Sequence, residues 1–405
     1  MNYNQPNKIP TLNDFSKTLE EFRTNKDIPG MQIIVVKNEN KLFEKNYSKK
    51  DVLVWDKKID IDVNSNTLFR IASVTKSITA IGIMHLIELG KLKFDDKMIN
   101  ILIKGNIVNA NEIYDSRMYD ITIRDLLRHS GGWDTTMGLD LTVPYAKNIN
   151  APLILAKLAP FDPQYDAIKI AGKNGKLANA IDLINFMMHF PLNFTPGTRE
   201  KYSNFGYNIL GRIIEVITGL PYEEYIKKTI FIPSKFEHPA FIGDVQIQNK
   251  HPDEVFYYDG PSDPMDFSIF PNVKYRSPYS YGSFDLSVMD AHGGFVMTAT
   301  DLVKIGVEML NFKFFGKNIF NEILKKPSYV LTENKRFYSL GMSVTPMSDG
   351  DILISHNGAL TFGTFAFLAM MPKKKIVVAA IMNHLDSDIG PMLMEFEQLV
   401  IKQFN

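Results

Sequence analysis

Ser73 and Lys76 stand three residues apart in the stretch FRIASVTKSITAIG, residues 69–82. On a helix, residues i and i+3 share a face with β-carbons roughly 5–6 Å apart, so this lysine can reach the serine hydroxyl. Serine is a poor nucleophile until a neighbouring base takes its proton. A lysine serves as that base where burial or a nearby cation lowers its pKa. The apolar run SITAIGIMHLIELG (77–90) offers such burial. A helix start also directs the Ser73 N–H toward a developing oxyanion. The same pair reads alternatively as a helix cap beside a solvated lysine.

Two further stretches carry candidate chemistry. In EKYSNFGYNILG (200–211), Tyr202 is a phenol able to pass a proton beside cations, and Asn204 can donate to one substrate group while accepting from another. The alternative is a packed tyrosine with Asn204 as a helix N-cap. In ILISHNGALTFGTFAF (352–367), His356 closes an apolar strand segment and can act as a charged anchor or a proton relay. Gly358 removes a side chain where backbone approaches a ligand. An edge-strand histidine satisfied by hydrogen bonds is the alternative.

These residues need elements to hold them. MQIIVVKN (31–38) and KLFEKNYS (41–48) read as paired strands. RFYSLGMSV, ILISHNG, TFAFLAMM and KIVVAAIMN read as four closely spaced strands, followed by a helix over 391–404. Between them lie helical patterns at 77–90, 121–130, 177–190, 206–219 and 298–310, with Gly219 and Pro221 as a stop. The pattern predicts an α+β fold in which an antiparallel sheet is built from both termini, with flanking helices and an inserted helical region. Residues 1–70 and 300–405 would form the sheet subdomain and 71–299 the helical one. Stretches 134–176 and 235–290 read as long loops capping the cleft; the second is rich in aromatics that either line a pocket or pack locally.

The chain has 405 residues, 45% of them hydrophobic and 22% charged, which suits a globular protein with a sizeable core. Lysine plus arginine and aspartate plus glutamate both number 45, so the net charge is zero and nucleic acid is not an expected partner. The basic run Lys373–Lys375 reads as a turn. There are no cysteines, which excludes disulfides, thiol catalysis and thiolate metal sites. The first thirty residues show no apolar signal region, and no run is long enough to span a bilayer. No metal-ligand motif and no phosphate loop appear, so no metal and no cofactor are expected.

Taken in order, five blocks resemble the serine β-lactamase and penicillin-binding-protein superfamily, on its class C, DD-peptidase and esterase side. FRIASVTKSITAIGIMHLIELGKLKFDD resembles its Ser-x-x-Lys block, ITIRDLLRHSGGW its LLTHTSGL block, and FTPGTREKYSNFGYNILGRIIEVITG its Tyr-x-Asn block. DAHGGFVMTATDLVKIGVEML resembles AGGLVSTAADLARF, and HNGALTFGTFAF stands where the family has Lys-Thr-Gly or His-x-Gly. The resemblance implies that Ser73 is acylated, that Lys76 relays its proton, and that Tyr202 is the general acid or base that later activates water. It implies that Asn204 holds the substrate amide, and that Ser73 and Ala359, beside Gly358, give the two oxyanion-hole amides. His356 would anchor a substrate carboxylate or tune Tyr202, and His129 would brace its loop.

Where the family's lactamases usually have Lys-Thr-Gly, this chain has His-Asn-Gly. A histidine of ordinary pKa near 6.5 carries only part of a charge at neutral pH. That predicts binding of carboxylate substrates that strengthens as pH falls. The resemblance implies a serine hydrolase acting through an acyl-enzyme on ester, amide or D-amino-acid peptide substrates, so the expected partner is a small-molecule or short peptide substrate. An acyltransferase sharing the acyl-enzyme, and a non-catalytic penicillin-binding or sensing protein, are the alternatives.

Overall fold

The computed structural model describes residues 11–55, 57–137, 177–260, 265–270, 276–332, 335–360, 362–385 and 389–404. Of the stretch 134–176, residues 138–176 lie outside this set, as does Tyr275. The strands are β1 Met31–Lys37, β2 Asn40–Tyr47, β3 Lys49–Val54, β4 Lys57–Ile61, β5 Phe69–Arg70, β6 Phe241–Ile242, β7 Met265–Phe267, β8 Arg276–Pro278, β9 Phe295–Met297, β10 Phe337–Ser339, β11 Met342–Pro346, β12 Ile352–Leu360, β13 Thr364–Met371 and β14 Ile376–Met382. The helices are α1 Leu12–Asn25, α2 Thr75–Glu88, α3 Met98–Lys104, α4 Ile123–Leu127, α5 Ala180–Met188, α6 Asn204–Thr218, α7 Tyr222–Ile226, α8 Asp290–Gly293, α9 Ala299–Leu310, α10 Lys317–Ile323 and α11 Ile389–Phe404.

A seven-stranded sheet runs β10-β11-β12-β13-β14-β1-β2, and every neighbouring pair is antiparallel. The N-terminal hairpin thus completes a sheet begun by the C-terminal strands: Met31 pairs with Met382 and Lys37 with Ile376. Strands β13 and β14 are buried at every position, as expected of strands covered on both faces. On one face Phe15, Leu19 and Phe22 of α1, with Phe396 and Val400 of α11, pack on Val35, Phe367 and Val378. On the other, Leu302 and Ile305 of α9 share a core with Leu368, Val377 and Ala379.

Helix α2 is apolar nearly all round, and every residue from Thr75 to Met84 is buried. It lies at the centre of the helical region, against α6 and α8. Helix α6 stops where expected: Gly219 adopts φ 71, and its N–H bonds the Glu215 carbonyl.

Several elements differ from the sequence reading; strands β6 to β8, for example, fall in the stretch 235–290 that reads as a loop. RFYSLGMSV is not one strand. It folds back at Gly341 (φ 81), giving β10 and β11. A side chain is excluded there, since a β-carbon on Gly341 would stand 2.2 Å from that of Ala80. Helix α1 was not anticipated, although Thr11 and Asp14 cap it reciprocally.

Candidate active site

Ser73 lies on a 3-10 turn, Ala72–Val74, that feeds directly into α2. Ala72 takes the left-handed conformation, φ 45, immediately before it. Such backbone persists only where the surroundings over-determine it, and here they do. Strand β5 pairs with β9, the Ile71 N–H donates to the Phe295 carbonyl at 2.9 Å, and Thr364 Oγ1 donates to the Arg70 carbonyl at 3.0 Å. The Arg70 guanidinium is buried. It lies 3.2 Å from the Glu254 carboxylate and 4.1 Å from the Tyr257 ring centroid, and it donates to the Ser280 carbonyl at 2.7 Å. Tyr257 Oη accepts from the Arg70 amide at 2.8 Å and donates to Glu254 at 2.7 Å. Several aromatics of 235–290, including Tyr257, Tyr281 and Phe284, therefore pack around Arg70 beneath the turn.

The three residues expected to share the proton work come together. Lys76 Nζ stands 3.0 Å from Ser73 Oγ, and Tyr202 Oη stands 2.7 Å from the same oxygen. Lys76 is fully buried, while Tyr202 is 40% exposed, so the hydroxyl joins a buried side chain to a solvent-exposed one. Lys76 also donates to the His292 carbonyl at 2.8 Å and lies 4.8 Å from the Tyr202 ring centroid.

Strand β12 packs against the serine turn. A β-carbon on Gly358 would lie 2.3 Å from the Ile71 carbonyl oxygen and 2.8 Å from the Ser73 nitrogen. Gly358 is thus needed for close approach to the backbone of the serine turn, where the sequence reading expected approach to a ligand. Ala359 follows it on β12 and pairs with Phe365.

Asn204 is the first residue of α6 and is buried; the cap is Ser203, whose hydroxyl accepts from the Gly206 N–H at 3.2 Å. The N-cap reading of Asn204 is thereby displaced by one residue. Trp133 fills a loop core, edge-on to Phe205 at 4.9 Å.

His356 corrects an expectation. Its ring is buried, Nδ1 donates to the Asn357 carbonyl at 2.5 Å, and Nε2 accepts from Tyr338 Oη at 3.0 Å. Burial, then the charge of Lys76, pushes its pKa down to about 3. Desolvation penalises the imidazolium and a like charge adds to the penalty. His356 is therefore neutral across the range in which it was expected to titrate.

Three residues around the site were not singled out as functional from sequence. His129 and His292 are fully enclosed, and burial followed by the Lys76 charge holds both well below the usual imidazole range. Tyr338 bonds His356 and lies 4.5 Å, centroid to centroid, from His129. Lys76 is thus set among three imidazoles that stay uncharged. Among the described residues, no group of three or more His, Asp or Glu side chains could hold a metal, and no helix is long and apolar enough to cross a membrane.

Comparison with known proteins places these features in context. The family model described as Beta-lactamase matches residues 15–393. Protein flp of Staphylococcus aureus (strain N315) is 25% identical over 381 residues, covering 94% of this chain; the chain spans 64% of that relative's length. A penicillin-binding protein homologue from Pyrococcus abyssi, described as octameric, superposes with a TM-score of 0.65 at 22% identity, covering 96% of this chain and 77% of its own. The D-amino acid amidase of Ochrobactrum anthropi SV3 superposes with a TM-score of 0.66 at 18% identity, covering 96% of this chain and 97% of its own. At these identities the two solved structures establish a shared fold.

Proposed function

The chain belongs to the beta-lactamase family, and from that premise we propose that it is a serine hydrolase working through an acyl-enzyme on ester, amide or D-amino-acid peptide substrates. One observation carries the reading: Ser73 Oγ lies within hydrogen-bond reach of both Lys76 Nζ and Tyr202 Oη. A nucleophile held by two proton-handling groups is what acyl transfer needs.

In this reading Ser73 Oγ attacks the substrate carbonyl, and its proton passes to Lys76 or Tyr202, whichever of the two is unprotonated when the substrate is bound, while the other keeps its proton. The N–H groups of Ser73 and Ala359 receive the oxyanion. The leaving alcohol or amine takes the proton back as the acyl bond to Ser73 forms. Water, activated by Tyr202 on the open side of the cleft, then releases the acid. Asn204, at the start of α6, holds the acyl side chain or amide of the substrate. A neutral His356 supplies no permanent cation on β12, so neutral esters and amides suit the site better than substrates that depend on a carboxylate anchor.

The test is turnover of p-nitrophenyl esters, D-amino acid amides and penicillins by the unmodified chain and by Ser73→Ala. Hydrolysis of at least one neutral class by the former and none by the latter is expected. Equal turnover by both proteins would exclude the mechanism.

A further inference from the structure

His129 packs on the Tyr202 ring and bonds the main chain on either side of it. Its carbonyl accepts from the Lys201 N–H at 2.8 Å, and its ring Nδ1 accepts from the Ser203 N–H at 3.1 Å. Those two amides flank Tyr202 on either side. The imidazole itself packs against the Tyr202 ring at 4.4 Å between centroids, and against Tyr207 and Tyr338 at 5.1 and 4.5 Å. His129 is 2% exposed and adopts φ 56, a left-handed backbone. Non-glycine residues are uncommon there, with Asn, Asp and His the tolerated exceptions. The backbone thus bends so that one residue can present both its carbonyl and its ring nitrogen to the same segment.

We propose that His129 is the positioning residue for Tyr202, gripping the main chain on both sides of it and packing on its ring, so that the phenol oxygen stays on Ser73. The inference rests on the reading of Tyr202 as a proton-handling group. The grip requires an unprotonated Nδ1. An imidazolium would set two N–H donors face to face at Ser203, and the bond would be lost. Enclosure beside Lys76 keeps the ring in the required form. His129 touches no substrate in this account. It acts by keeping Tyr202 Oη in place, and a misplacement of about 1 Å in such a group can cost 10²-fold in rate.

The test compares His129→Ala with His129→Asn, each alone and with Tyr202→Phe, using kcat and KM on a neutral ester. Asparagine tolerates the left-handed backbone and places an acceptor oxygen where Nδ1 stands; alanine offers no acceptor. His129→Ala is expected to lower kcat by about 10- to 100-fold with little change in KM, and His129→Asn to restore most of it. On a Tyr202→Phe background, His129→Ala should cost little more. Equal losses in the alanine and asparagine variants, an alanine variant as active as the parent, or a loss fully additive with Tyr202→Phe would each overturn the proposal. Should the alanine variant fail to fold, His129→Gln replaces it, since its acceptor lies where Nε2 stands. If Tyr202→Phe keeps full activity, the proton-handling reading of Tyr202 fails and this inference falls with it. If Tyr202→Phe is impaired while the His129 variants behave like the parent, only the positioning role fails.

Discussion

Gly358 and Ser73 meet main chain to main chain, with the position of a Gly358 β-carbon 2.8 Å from the Ser73 nitrogen. That contact sets β12 against the serine turn. In the proposed mechanism the amides of Ser73 and Ala359 then aim at one point, so the oxyanion hole depends on a residue with no side chain.

Gly358→Ala should therefore damage rate more than binding. Its β-carbon would collide with two backbone atoms, Ile71 O and Ser73 N, neither of which can rotate aside. Displacement of the strand from the turn is expected to lower kcat by about 10²-fold. The overpacking should lower stability by about 1–3 kcal/mol. Steady-state kinetics and urea unfolding check both. Parental kcat in this variant would show that the contact does not set the geometry.

Lys76 and Tyr202 both reach the same oxygen, one from a buried and one from an exposed side chain. Each of Lys76→Ala and Tyr202→Phe is expected to cost about 10²–10⁴ in kcat. The double variant should lose far less than the product of the single losses, as for groups acting as a unit. Fully multiplicative losses would contradict a shared proton relay.

The three neutral imidazoles give a signature in stability against pH. In the unfolded chain they protonate near pH 6.5, whereas burial and Lys76 keep His129, His292 and His356 uncharged in the fold far below that. Between those limits the unfolded state binds more protons. Stability is thus fully present above pH 6.5 and falls as pH falls, by about 1.4 kcal/mol per pH unit for each histidine. Urea unfolding between pH 6.5 and 4.5 measures the slope. His292→Leu should make it shallower by about one such increment, and an unchanged slope would contradict the assignment.

Much of this arrangement was legible in the chain, for physical reasons. Ser73 and Lys76 are three residues apart, so helix geometry alone brings them together. The apolar strands β1, β13 and β14 and the all-round apolar α2 announce burial by composition. Other contacts depend on partners far away in sequence. Arg70 meets Glu254, and His356 meets Tyr338, only once the sheet has formed. That is why a histidine with an ordinary expected pKa is held neutral: burial and the Lys76 charge outweigh the bond its ring makes to the Asn357 carbonyl. The turn at Gly341 was readable as a glycine but not as a strand break, because the need for it comes from Ala80 on another element.

The most direct measurement is peptide mapping by mass spectrometry after exposure of the folded chain to a fluorophosphonate. A single adduct is expected on the peptide containing Ser73, formed by the unmodified protein and absent from Ser73→Ala. An adduct on another residue, or unchanged labelling of the alanine variant, would contradict it.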